Sequence, residues 1–254
     1  MLKRPLQTTF YQNQGILIDI EGLNFYYNDL QVLKHIYLQV YQREFLSIVG
    51  PSGCGKTTLL KILAGLIDTN DRINSKVSEI AYMPQKGVLF EWKTLISNLM
   101  LPLMIKGKNK NLAYQKARKI LDDFGLGQFK DYYPSQLSGG MRQRGAFLRT
   151  MLIGSELILL DEPFAAVDEI NRRKLQLWLI SLLERYRKTV VLVTHNIEEA
   201  ILLSDRIAVM SDKPSTIMKT IVVDIPKPRN LDSLTHPRFS SLEKAIYELL
   251  GSSF

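Results

Sequence analysis

Apolar and polar positions follow one another in short blocks along this chain. Ile16-Leu17-Ile18-Asp19-Ile20, Leu23-Asn24-Phe25-Tyr26-Tyr27 and Ile36 to Val40 carry the short-period, apolar-rich pattern of strands, with Asn28-Asp29 as a turn signal between them. These early strands read as an antiparallel sheet. Glu44-Phe45-Leu46-Ser47-Ile48-Val49 is an apolar strand that runs straight into a glycine-rich segment. Leu59, Leu60, Leu63 and Leu66 then recur at helical spacing, which predicts a helix over Lys56–Leu66. Residues 68–78 are polar and without period. Glu79-Ile80-Ala81-Tyr82-Met83 reads as a short strand closed by Pro84-Gln85. From Trp92 to Thr150 the period is helical, punctuated by Pro102, Gly107, Gly125 and Pro134. With no strand pattern inside it, this block reads as a helical subdomain inserted into an α/β core. Leu157–Asp161, Thr189–Thr194 and Ile207–Met210 then alternate with helical stretches at Ile170–Tyr186 and Ile197–Leu203, the rhythm of βαβ units and a parallel sheet. Thr216–Ile225 predicts a late strand, Pro226-Lys227-Pro228-Arg229 an extended connector, and Leu242–Leu250 a closing helix. Residues 1–15 read as a loose lead-in.

Composition narrows the class. A chain of 254 residues with 46% hydrophobic and 23% charged residues can build an ordinary globular core and is not disordered. The net charge of +8 admits nucleic acid, an anionic membrane surface or a polyphosphate as partner. The cations are scattered, however, and the small clusters at Lys106–Lys110 and Lys116–Lys119 read as solvated helix faces. Cys54 is the one cysteine, so no internal disulfide forms and a reducing compartment is expected. Met1–Pro5 is not followed by the apolar core of a signal peptide. No apolar run approaches the roughly 18 residues of a membrane span; Leu95–Ile105 is too short and contains Ser97, Asn98 and Pro102.

Three segments carry the chemistry. Gly50-Pro51-Ser52-Gly53-Cys54-Gly55-Lys56-Thr57 lies between a strand and a helix, the context that separates a phosphate-binding loop from a Gly-rich turn. Its glycines let backbone N–H groups wrap anionic oxygens at a helix N-terminus. Lys56 is expected at the terminal phosphates, Thr57 on Mg²⁺, and Thr58 continues the binding turn. Downstream, the apolar strand Leu157-Ile158-Leu159-Leu160 ends in Asp161-Glu162. Asp161 is placed to hold Mg²⁺ through water. Glu162 is expected on the other side of the pleat, where it polarises the attacking water. Between the two lies Leu137-Ser138-Gly139-Gly140-Met141-Arg142-Gln143-Arg144, a Ser/Gly turn opening a basic helix. Ser138 suits an N-cap, and the bare N–H groups of Gly139 and Gly140 suit a γ-phosphate.

In this order, the three segments resemble the ATP-binding-cassette (ABC) ATPases, from about Ile16 to about Met210. The resemblance implies an α/β P-loop NTPase with a RecA-like core, an antiparallel β subdomain and an inserted helical subdomain. The division expected is 16–91 and 151–225 for the core with its β subdomain, 92–150 for the helical subdomain, and 226–254 for a tail and helix. ATP and Mg²⁺ are implied, with Thr57, Gln85 and Asp161 on the metal and Glu162, His195 and Gln85 in catalysis. Gln85 resembles the glutamine that reaches Mg²⁺ and water. His195, after an apolar strand, resembles the switch histidine that bonds the γ-phosphate. Tyr27 matches the aromatic that stacks on adenine, once Val32-Leu33 is aligned with the apolar pair that usually follows; Tyr26 is adjacent. Ser138, Gly139 and Gly140 would complete the ATP site of a second subunit in a homodimer or equivalent ATPase pair. Asp168, in Ala165-Ala166-Val167-Asp168, resembles the loop that crosses that interface, although Ala165 replaces the usual Ser or Gly. The stretch Ile67–Ser78 is short and lacks the usual Pro/Gly turn, which leaves the strand layout there open.

Rival classes share the chemistry. DNA-repair cassettes carry long coiled-coil arms, translation-associated cassettes usually carry two ATPase units per chain, and exporters are usually fused to membrane helices. Nucleic acid is therefore not the expected partner. What remains is a free-standing subunit on the cytoplasmic face of the membrane, peripheral to integral permease subunits and served by an extracytoplasmic solute-binding protein. The alternative is the free-standing ATPase of an exporter. Asp161-Glu162-Pro163-Phe164, Glu198-Glu199-Ala200, Leu203-Ser204-Asp205-Arg206 and the tail segments Ile225–Arg229 and His236–Phe239 resemble the nitrate, sulfonate, taurine and pyrimidine-precursor importers. Val88, Leu89, Phe90 and Trp92, just past Gln85, would form an apolar groove for a short permease helix.

Overall fold

The computed structural model describes residues 15–86, 89–165 and 167–251, apart from the side chain of Glu184. The lead-in up to residue 14, Gly87, Val88, Ala166 and the last three residues lie outside the described residues. In chain order the elements are β1 (Ile16–Tyr27), β2 (Leu30–Tyr41), β3 (Phe45–Val49), α1 (Lys56–Leu63), β4 (Ile73–Ser75), β5 (Ile80–Met83), α2 (Leu95–Ile105), α3 (Lys110–Asp123), α4 (Gly139–Met151), β6 (Leu157–Asp161), α5 (Glu169–Tyr186), β7 (Thr189–Val193), α6 (Ile197–Leu203), β8 (Arg206–Met210), β9 (Ile217–Val222) and α7 (Pro237–Gly251). They fall into two compact units, one of residues 15–78 with 180–251, the other of residues 79–179. The second unit thus holds β5 and β6 together with the helical block.

In the first unit β1 pairs antiparallel with β2 on one side and β4 on the other. The two early strands expected at Ile16–Ile20 and Leu23–Tyr27 are one strand, β1. Gly22 at φ +75° interrupts its ladder between Glu21 and Leu23 without ending it, a conformation that glycine adopts at little cost. The polar stretch 68–78 contributes the short strand β4, whose residues pair with Ile18–Ile20. A three-residue strand leaves too little pattern to be visible in a sequence. Strands β7, β3 and β8 lie side by side and parallel, and β9 closes the edge antiparallel to β8. Every residue of β3, β7 and β8 is buried, which is why these strands read as apolar runs and not as alternation. Glu44, at the entry to β3, accepts from Arg206 Nη1 at 2.9 Å and from the Tyr41 N–H at 2.6 Å. The closing helix starts five residues earlier than its apolar spacing suggests, at Pro237.

In the second unit β5 and β6 pair in parallel register, Ile80 opposite Leu157 and Met83 opposite Leu160. Helices α2, α3 and α4 are each opened by a side-chain cap, from Thr94, Asn109 and Ser138. Pro102, read from the sequence as a break, lies inside α2. Burial of Leu95, Ile96, Leu99 and Leu103 on that helix outweighs the single backbone hydrogen bond that Pro102 cannot donate.

Candidate functional site

The glycine-rich loop leaves the buried end of β3 at Gly50 and enters α1 at Lys56. Gly55 has φ +116°, and a Cβ there would stand 2.8 Å from Val32 Cγ1 and 3.0 Å from Leu33 Cδ2, so both backbone and space require glycine. No side-chain cap closes the α1 N-terminus and no acid sits in its first turn. That combination leaves the helix end suited to an anion. Lys56 is buried, and its Nζ donates to the carbonyls of Gly50 and Pro51, both at 2.8 Å, which closes the loop into a ring. Ser52, Gly53 and Thr57 are exposed on the outer rim, while Thr58 is half-buried. Cys54 is buried beneath the loop, and burial pushes its thiol up against the pull of the Lys56 charge, so it stays a neutral thiol. Its carbonyl accepts from the hydroxyl of Ser215, a fully buried residue whose N–H donates to Val32 O at 2.9 Å. Ser215 therefore ties the loop to β2. Nothing in the spacing of the sequence signals that role, because the contact spans 161 residues.

Tyr27 lies at the tip of the β1–β2 hairpin, opposite Leu30, and is half-exposed. Its ring meets Phe25 edge-on at 4.9 Å, and Phe25 pairs with Leu33, the residue packed under Gly55. Tyr27 thus shares a strand face with the residue that touches the loop, while Tyr26 alternates to the other face. His195 is exposed just past β7. Thr194 N donates to Ile48 O at 3.2 Å, so His195 and Gly50 leave neighbouring strands at the same carboxyl-end edge of the sheet. The turn is fixed from below. Thr194 Oγ1 donates to Glu199 Oε2 at 2.7 Å and accepts from Asn196 N at 3.0 Å, and the Asn196 side chain caps α6.

In the second unit Asp161 is the last residue of β6 and is buried. It accepts from the Tyr82 hydroxyl at 3.1 Å, across the parallel pair. Burial first, then the Asp161 charge, push the Tyr82 hydroxyl up, so Tyr82 remains a donor. Tyr82 was not singled out in the sequence, although the pairing of β5 with β6 is what brings it there. Glu162 is not a pleat residue, as the strand pattern suggested. Its φ of +42° lies in the left-handed region, so the backbone leaves the strand and the turn aims the side chain. Glu162 Oε2 accepts from Gln85 Nε2 at 3.0 Å.

Ser138 opens α4 and accepts from Met141 N at 3.3 Å. Ser138 and Gly139 are exposed, and a Cβ on Gly140 would meet nothing within 4 Å. Arg142 Nη1 donates to Leu137 O at 2.7 Å, and Gln143 donates to Pro163 O, which fixes α4 to the segment next to Glu162. Asp168 is exposed and caps α5, accepting from Asn171 N at 3.1 Å and Asn171 Nδ2 at 2.8 Å. The Asn171 side chain holds the Asp168 carboxyl below its ordinary range.

The expected apolar groove is present in this unit. It encloses about 600 Å³ and is lined by Ile80, Phe90, Trp92, Leu101, Ile105 and Ile153, among others. Phe90 and Trp92 are exposed, with ring centroids 5.1 Å apart, and Arg149 sits 5.4 Å over the Phe90 ring. Leu89 is buried and belongs to the core, and Val88 lies outside the described residues. Fully buried Asn98 shapes the rim. Its Oδ1 accepts from Phe90 N at 2.7 Å, and its Nδ2 donates to the carbonyls of Phe90, Lys93 and Thr94.

Among known families, the profile described as "ABC transporter" matches residues 33–165. The chain is 37% identical to the formylaminopyrimidine import ATP-binding protein ThiZ of Halalkalibacterium halodurans, over 92% of this chain and 96% of that one. It is also 37% identical to the aliphatic sulfonates import ATP-binding protein SsuB of Bacillus cereus, over 91% of this chain and 94% of that one. A solved dimeric ATP-binding cassette in a post-hydrolysis state, bound to ADP and Pi, superposes with a TM-score of 0.69 at 27% identity, over 82% of this chain and all of that chain.

Proposed function

The chain belongs to the ABC transporter family, as an ATPase of the ABC type, and from that premise we propose that it powers uptake of a small solute through a separate membrane permease. In this reading two copies, or one copy and an equivalent ATPase subunit, bind ATP head to tail. The Gly50–Thr57 loop and Lys56 hold the phosphates, Tyr27 stacks on adenine, and Ser138–Gly140 with Asp168 complete the partner's site. The expected division into a core with its β subdomain, a helical subdomain and a C-terminal tail serves that arrangement. The observation that carries the reading is the hydrogen bond from Gln85 to Glu162 beside buried Asp161. It gathers an amide and two carboxylates where the family's chemistry needs a water-polarising base and hard oxygen ligands.

The donor set suits Mg²⁺. The Thr57 hydroxyl, the Gln85 carbonyl and the Asp161 carboxylate are hard oxygen ligands, few enough to leave places for phosphates and waters. Held by these residues, Mg²⁺ would neutralise phosphate charge. The chain's own part is to orient and deprotonate: Glu162 accepts the proton of the attacking water, Gln85 fixes the Glu162 carboxylate, and His195 donates to the γ-phosphate. Groove residues Phe90 and Trp92 receive a short permease helix, which puts the subunit at the cytoplasmic face of the membrane. Among the described residues no helix is long and apolar enough to cross one. The solute proposed is of the sulfonate, nitrate, taurine or pyrimidine-precursor type, delivered by an extracytoplasmic binding protein, and the names of the relatives support the sulfonate and pyrimidine-precursor members of that set. The test is phosphate release from MgATP by the purified chain, followed by solute uptake in vesicles containing the permease. Phosphate release without any ATP-dependent uptake contradicts the transport half of the proposal.

A further inference from the structure

A second pocket lies in the first unit, at the opposite ends of the strands from the glycine-rich loop. It encloses about 180 Å³. It is built where the chain enters β3, β7 and β8: Arg43 and Phe45 at the first, Arg187 and Lys188 at the second, Asp205 at the third. Leu183 from the end of α5 and Leu202 and Leu203 from the end of α6 form an apolar floor with Phe45, and all four are buried. Lys227 and Arg229, from the connector after β9, close the wall.

The charge here is one-sided. Among the described residues five cations, Arg43, Arg187, Lys188, Lys227 and Arg229, line the pocket with one acid, Asp205. Asp205 is already engaged, since its Oδ1 pairs with Lys227 Nζ at 2.5 Å and its Oδ2 accepts from Phe45 N at 2.9 Å. Arg229 is buried and rigid, its guanidinium donating to the carbonyls of Ile225, Ile201, Ser204 and Val223. Arg43 and Arg187 differ. Both are exposed, and among the described residues neither guanidinium makes a hydrogen bond or ion pair. Both also sit in left-handed backbone, at φ +59° and +47°. Each such position costs on the order of 1 kcal/mol, a cost a simple solvent-facing turn would avoid with glycine or asparagine. Like charges that line one pocket repel one another, and an anion between them offsets the repulsion.

We infer that this pocket is a binding site for a small organic oxyanion, a sulfonate or carboxylate carried on a short apolar body. Its head group bridges Arg43 and Arg187, and its body lies on Phe45, Leu183 and Leu202. The volume admits a few heavy atoms and excludes a nucleotide. The site is separate from the glycine-rich loop, which leaves the other end of β3.

The test is calorimetric titration of the whole chain with sodium butanesulfonate, sodium butyrate and sodium sulfate, each in the presence of saturating ADP to occupy the glycine-rich loop. One saturable site is expected for butanesulfonate and for butyrate, tighter than for sulfate by on the order of tenfold, because only the organic anions use the apolar floor. Arg43→Glu combined with Arg187→Glu should weaken both by at least about tenfold and leave ADP affinity unchanged. Arg43→Lys, which keeps the charge, should bind nearly as the parent does and shows that the fold survives change at this turn. Sulfate binding as tight as butanesulfonate, or organic-anion binding undiminished in the double variant, overturns the proposal.

Discussion

Gln85 Nε2 donates to Glu162 Oε2 at 3.0 Å, so the residue read as reaching Mg²⁺ and water and the residue read as the base hold each other directly. The bond joins the segment after β5 to the turn after β6, two parallel strands in register. It gives Glu162 a fixed orientation although its backbone, at φ +42°, has left the strand.

Replacing the amide by a second carboxylate tests that relationship. Gln85→Glu sets two acids within hydrogen-bond distance, and like charges disfavour ionisation of the pair. The repulsion should turn the Glu162 carboxylate away from its present orientation, with kcat at neutral pH falling by on the order of tenfold while ATP affinity stays near the parent's. A normal kcat in this variant removes Gln85 from the positioning of Glu162.

Ser138 carries two separable roles. As the cap of α4 it accepts from Met141 N, and Ser138→Ala should cost about 1 kcal/mol of stability. Ser138→Arg instead places bulk and charge on an exposed turn that faces, in the proposed assembly, the γ-phosphate of the opposite subunit. Nucleotide binding at the Gly50–Thr57 loop should persist while light scattering detects no ATP-driven dimer. Normal dimerisation by the arginine variant leaves Ser138 a helix cap only.

The groove offers a test outside the nucleotide site. Phe90 and Trp92 are exposed, so Phe90→Ala and Trp92→Ala should leave the subunit folded with its basal ATPase intact, yet abolish co-purification with the permease. Leu89→Asp is the contrasting variant. Leu89 is buried, and an unpaired carboxylate there should cost several kcal/mol and unfold the second unit before it reports on docking. An intact complex carrying both alanine substitutions assigns Phe90 and Trp92 to packing.

Much of this was legible in the sequence because the chemistry is local. The loop at Gly50–Thr57, the Asp161-Glu162 strand end and the Ser138 cap each sit within about ten residues of the element that positions them. The buried parallel strands announced themselves as unbroken apolar runs. What the sequence hid depends on distance or on backbone. The Ser215 hydroxyl supports the loop from 161 residues away, and Tyr82 reaches Asp161 only because β5 pairs with β6. The left-handed turn at Glu162 overrode strand alternation, and burial along α2 carried the helix through Pro102. Strand β4 was too short to show a period.

The central claim, that Glu162 takes the proton of the attacking water at an ATP site shared between two subunits, is tested most directly by Glu162→Gln. The amide keeps the size of the side chain but is a far weaker proton acceptor. MgATP titration followed by light scattering and phosphate release should show near-parent ATP affinity, turnover lower by on the order of 10²-fold or more, and a stable dimer that appears only with ATP. Hydrolysis at the parent rate, or a variant that binds ATP and remains a monomer, contradicts the account.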